Sequence, residues 1–129
     1  MDKDNEYFKW LEYAENDFEA AEILSQQIKP KYEIVCYHCH QCAEKILKGY
    51  IASKNGKIQK THDLVVLCES CGKYDPEFDT IIGNCSDLTI YASETRYPNT
   101  LEIEDYHMKK ALKDTLKIRD FAKSKIVRK

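Results

Sequence analysis

Three cysteines, two histidines and a Gln-x-x-Glu-Lys cluster fall within one stretch, Cys36-Tyr-His-Cys-His-Gln-Cys-Ala-Glu-Lys-Ile-Leu-Lys-Gly-Tyr-Ile51. Thr61-His-Asp-Leu64 follows shortly after. Thiolate and imidazole are good zinc ligands. Cys39-x-x-Cys42 and Cys68-x-x-Cys71-Gly72 form two CxxC pairs with 25 residues between them, and His38, His40 and His62 are further donors. The competing reading is packing. Cys39 and Cys42 belong to the stripe Val35, Cys39, Cys42, Ile46 and Tyr50, the inward face of a helix, where Cys serves as a small buried hydrophobe. No Gly or Pro near Cys39 supplies the tight turn that a zinc knuckle uses, and Cys85 also falls on an apolar face. Stripe position and turn chemistry favour packing, so neither a metal nor a cofactor is expected.

Beside that stripe, His38, Gln41, Lys45 and Lys48 recur at spacings of three and four, with Glu44 on the adjoining edge. Such an edge can bind phosphate. It can equally be a solvated face with a Glu44–Lys48 pair worth about 0.2–0.5 kcal/mol.

The elements that carry these residues read as helices. Leu11, Ala14, Phe18 and Ala21 follow Tyr7 on one amphipathic stripe, which should end near Ile28 because Lys29-Pro30 disfavours helical backbone. A second helix should run from Lys31 to Ser53 and stop at Asn55-Gly56. Thr61 can cap a short third helix over Asp63 to Cys71. Asp75-Pro76 starts a fourth, with Phe78, Ile81, Ile82, Cys85, Leu88 and Ala92 inward, and it must break by Tyr97 before Pro98. A fifth covers Ile103 to Ser124. The expected fold is all-α: one domain over residues 1–129, an antiparallel bundle of four long helices plus one short helix.

Composition agrees. The chain has 129 residues, 43% apolar and 33% charged, enough for an unstapled core. A net charge of −2 gives no general field for nucleic acid. Residues 109–129 are locally basic, which reads first as a solvated helix face. The charged start Met1-Asp-Lys-Asp-Asn-Glu is not that of a signal peptide, and no run is long and apolar enough to span a membrane. A cytoplasmic chain with reduced thiols is the expectation.

The order of the motifs resembles the HEPN domain family, small all-α proteins often found beside minimal nucleotidyltransferases in prokaryotes. The matching segments are Ala14-Glu-Asn-Asp-Phe-Glu-Ala-Ala-Glu-Ile-Leu24, Tyr37 to Lys48, Thr61-His-Asp-Leu64, and Tyr91-x4-Arg96-Tyr-Pro98. In that family small residues such as Ala commonly stand where Cys39 and Cys42 do, in keeping with packed thiols. The resemblance implies a helical bundle that is usually a homodimer, with a polar cleft at the subunit interface. It also implies a role beside a minimal nucleotidyltransferase in a toxin–antitoxin-like system. In that cleft Arg96, Lys45 and Lys48 would meet the phosphate of a nucleotide or RNA. His38, Gln41 and Glu44 would complete the polar surface, and Tyr91 and Tyr97 would stack on a base.

Many members are ribonucleases that use an Arg followed four to six residues later by His. Here the first His after Arg96 is His107, eleven positions on, and neither Arg119 nor Arg128 is followed by one. The usual motif is absent. A ribonuclease of this type would need a displaced His, either His62 or His107, brought to Arg96 by the fold.

Overall fold

The computed structural model describes residues 2–92 and 102–126, with side chains from Tyr7 onward. Every described element is helical: α1 (Asp2–Ser25), α2 (Tyr32–Ser53), α3 (Leu64–Gly72), a 3-10 segment (Pro76–Ile81), α4 (Ile82–Leu88), a 3-10 turn (Thr89–Tyr91) and α5 (Asp105–Lys125). None of the helices is long and apolar enough to cross a membrane.

The apolar pattern explains why α2 is central. Cys36, Ala43, Leu47 and Ile51 form a second stripe beside Val35, Cys39, Cys42, Ile46 and Tyr50, and all of these residues are buried. A helix apolar on most of its circumference must be enclosed. α1, α3 and α5 accordingly pack around α2. The chains of α1 and α2 approach closely at Gly49, where an added Cβ would stand 3.0 Å from Trp10 Cβ and 3.2 Å from Leu11 Cδ2.

The element ends follow local chemistry. α1 closes at Ser25 rather than Ile28, with the Ser25 hydroxyl donating to the Glu22 carbonyl at 2.7 Å. It also begins before Tyr7, because its first turn is polar and leaves no mark on an apolar stripe. After α2, Asn55 takes the left-handed conformation at φ 56°, and at Gly56 the Tyr74 hydroxyl occupies the place a Cβ would take. Asp63, not Thr61, caps α3. Its carboxylate accepts the Val65 and Val66 amides at 2.9 and 3.3 Å, and Thr61 steadies the cap by accepting the Asp63 amide at 3.1 Å.

The fourth element is helical from Pro76 to Tyr91 but is not one long α-helix. Asp75 caps it, accepting the Glu77 amide at 3.0 Å, and Pro76 opens a 3-10 segment that gives way to α4 at Ile81 (φ −111°, ψ 10°). The β-branched run Thr80-Ile81-Ile82 followed by Gly83 has low helix propensity, which accounts for the break. The expected end by Tyr97 lies outside the described residues.

The basic face of α5 is largely neutralised. Arg119 and Lys123 meet Glu15 of α1 at 2.8 and 3.3 Å, Lys110 meets Asp87 and Asp114, and Lys125 pairs with Asp75 and Glu77.

Two glycines should respond oppositely to alanine. Gly49→Ala should destabilise by about 1–3 kcal/mol through overpacking against Trp10. Gly83→Ala, with nothing within 4 Å of the new Cβ, should stabilise by about 0.4–1 kcal/mol. Urea unfolding of both variants checks this, and a stabilised Gly49→Ala would refute the close packing of α1 on α2.

Candidate functional site

The polar edge of α2 divides into two clusters, each built on one carboxylate. Around Glu44, Lys48 Nζ donates to Oε2 at 2.8 Å and His62 Nδ1 lies 3.0 Å from Oε1. Glu44 and Lys48 are an i,i+4 pair, but not the solvated pair that the sequence suggests. Their side chains are only 6% and 10% exposed, and Lys48 Nζ lies 5.8 Å from the centre of the Trp10 ring. Burial opposes ionisation of Glu44. The hydrogen bonds from Lys48 and His62 outweigh it and hold the carboxyl below its ordinary range.

An ionised carboxylate only accepts, so His62 Nδ1 carries the hydrogen. The remaining ring nitrogen, Nε2, is then the acceptor of the neutral imidazole, on a side chain 71% exposed. His62 thus combines a fixed tautomer with access to solvent.

His40, which the sequence offered only as a zinc donor, completes this cluster. It is fully buried, and its Nε2 donates to the His62 carbonyl at 2.8 Å. Among the described residues its Nδ1 has no hydrogen-bond partner, and it lies 3.8 Å from Glu44 Oε1. His62 is therefore held twice from α2, by its ring on Glu44 and by its carbonyl on His40. Burial lowers the His40 pKa, against the opposing pull of the His62 carbonyl and Glu44. His40 was legible as a member of the stripe Cys36, His40, Ala43, Leu47, Ile51.

The second cluster joins α1 to α2. Asp17 is met by His38 Nδ1 at 2.9 Å and by Lys45 Nζ at 2.6 Å. The sequence reading passed over Asp17; its signal was a carboxylate flanking the stripe of Ala14, Phe18 and Ala21. Gln41 is half-buried and stands three residues from both His38 and Glu44. Lys45 and Lys48 thus each have a carboxylate partner already, and a phosphate there competes with Asp17 or Glu44.

The remaining candidates are placed differently. Tyr91 is buried, and burial pushes its hydroxyl up to about 12. This corrects its expected part in stacking, since a ring packed into the core offers no open face to a base. His107 binds the start of α5, its Nδ1 accepting the Glu104 amide at 2.9 Å. Arg96 and Tyr97 lie outside the described residues. All six thiols are buried; burial raises Cys39 to about 12, and Cys71 donates to the Leu47 carbonyl at 3.6 Å. Zinc binding requires thiolates. Among the described residues no three His, Cys, Asp or Glu side chains are grouped to hold a metal.

A family model for the HEPN domain matches residues 7–126. The crystal structure of ST0689, an archaeal HEPN homologue, superposes with a TM-score of 0.75 at 22% identity, covering 94% of this chain and 98% of that one. The crystal structure of TT1696 from Thermus thermophilus superposes with a TM-score of 0.76 at 24% identity, with the same coverage. No match is found among curated proteins.

A buried neutral His40 makes stability depend on pH. The unfolded chain binds a proton near the ordinary value of 6.5, whereas the folded chain does so only at lower pH. The stability that His40 contributes is therefore present above 6.5 and is lost as the pH falls below it. Denaturant unfolding between pH 7 and 5 should show a slope reduced in His40→Gln, by at most about 1.4 kcal/mol per pH unit. Equal slopes would show that His40 does not titrate differently on folding.

Proposed function

The chain belongs to the HEPN domain family, and from that premise we propose that it binds the phosphate of a nucleotide or RNA at the polar surface around His62. On the family resemblance it does so as a cytoplasmic homodimer of single-domain subunits, beside a minimal nucleotidyltransferase in a toxin–antitoxin-like system. The observation that carries the reading is His62, a solvent-facing imidazole fixed by Glu44 and His40. Arg96 supplies the guanidinium, whose planar fork suits phosphate. His38, Gln41 and Lys45 extend the polar surface along α2, and Tyr97 is the stacking ring. Titration calorimetry with mononucleotides and a short RNA should give a measurable affinity. Arg96→Ala and His62→Ala should each weaken it by about tenfold, equivalent to about 1.4 kcal/mol. No heat from any nucleotide at millimolar concentration would remove the reading.

One observation favours a second reading, a metal-independent ribonuclease. In the neutral ring the Glu44 contact makes His62 Nε2 the proton acceptor, the form required to take a proton from a ribose 2′-hydroxyl. Arg96 would then stabilise charge developing on the phosphate. Pure protein should cleave single-stranded RNA without added metal, with activity lost in His62→Ala. RNA left intact after prolonged incubation decides for binding alone.

A further inference from the structure

We propose that His62 is a phosphoryl-acceptor site, modified at Nε2 by a small phosphoryl donor of the phosphoramidate or acyl phosphate class. A phosphohistidine site needs a nucleophilic nitrogen that is unprotonated, reachable and unique, and a partner for the charge that appears on the ring after attack. The neutral ring of His62 meets each requirement. With its Nδ1–H committed to Glu44, the lone pair of that form is on Nε2, and the side chain is 71% exposed. The accepting carboxylate is buried at 6% exposure, where its charge is weakly screened. Lys48 holds Glu44 from the other side at 2.8 Å, and His40 pins the backbone of His62 itself.

The step balances without a further reagent. With phosphoramidate, the Nε2 lone pair attacks phosphorus and an N–P bond forms. The bond from phosphorus to the amine breaks, and ammonia leaves with its electron pair. The ring retains the Nδ1 proton and becomes cationic, facing Glu44.

Two other histidines serve as internal controls. His38 has a similar carboxylate contact through Asp17, but its side chain is 28% exposed and Asp17 is shared with Lys45. His107 has Nδ1 engaged as an acceptor, which makes Nε2 the protonated nitrogen of its neutral ring.

The full chain is incubated with phosphoramidate at neutral pH, the product nitrogen identified by phosphorus NMR and the residue by tandem mass spectrometry. Modification should appear at His62 Nε2 ahead of His38 and His107, and His62→Gln should abolish it. Glu44→Gln keeps an acceptor for Nδ1–H but removes the charge, and should slow the reaction by about tenfold or more while preserving Nε2 selectivity. Glu44→Ala releases the tautomer and should yield Nδ1 product as well, with circular dichroism confirming that both variants stay helical. Modification of His62 no faster than His38, or Nδ1 product from the unaltered chain, overturns the proposal. This site does not require the nucleotide reading. A chain that binds nucleotide while His62 stays unmodified refutes only the acceptor site. One that is modified but binds no nucleotide refutes only the binding reading.

Discussion

A helix enclosed on most sides can carry an ionised group only if its surroundings supply partners for it. α2 is such a helix, and Glu44 is its buried carboxylate. Lys48 supplies one partner from the next turn and His62 supplies the other from the segment before α3. Removing one side of a buried pair typically costs about 3–5 kcal/mol, because the other charge is left uncompensated. The segment carrying His62 is therefore tied to the bundle by the same interaction that makes a charge inside it tolerable. The site and the fold share one constraint.

That constraint shapes the chemistry. An acceptor-only carboxylate selects which imidazole nitrogen keeps the proton, and burial of Glu44 keeps the selection from being diluted by water. The Asp17 cluster is built from the same residue types, yet it sits between two packed helices and ties α1 to α2. Similar chemistry thus has different consequences at two places on one helix, and the difference is exposure of the imidazole.

The cysteines illustrate the opposite case. Their spacing is the most conspicuous chemical pattern in the chain, yet each thiol occupies a core position, and Cys68 and Cys71 donate inward to the Phe78 and Leu47 carbonyls. Spacing alone cannot separate a zinc pair on a tight turn from two small hydrophobes on a helical stripe, because both put the two cysteines three residues apart. The absence of a turn at Cys39 was the better guide. The three long helices were likewise legible from periodicity over many residues, whereas the broken helix from Pro76 to Tyr91 depended on a short β-branched run beside Gly83.

By itself the sequence determined the all-α class, the order of its elements, the inward stripe of α2 and the membership of His38, Gln41, Glu44, Lys45 and Lys48 in one polar edge. All of these follow from local spacing, which the helical repeat converts directly into faces. Only the tertiary structure decided that the edge divides into two carboxylate clusters, that Asp17 and His40 belong to them, and that Tyr91 turns into the core. Those outcomes depend on contacts between residues about twenty positions apart, such as His62 with Glu44 and Asp17 with His38. No helical repeat encodes such contacts; they exist only once the elements have packed.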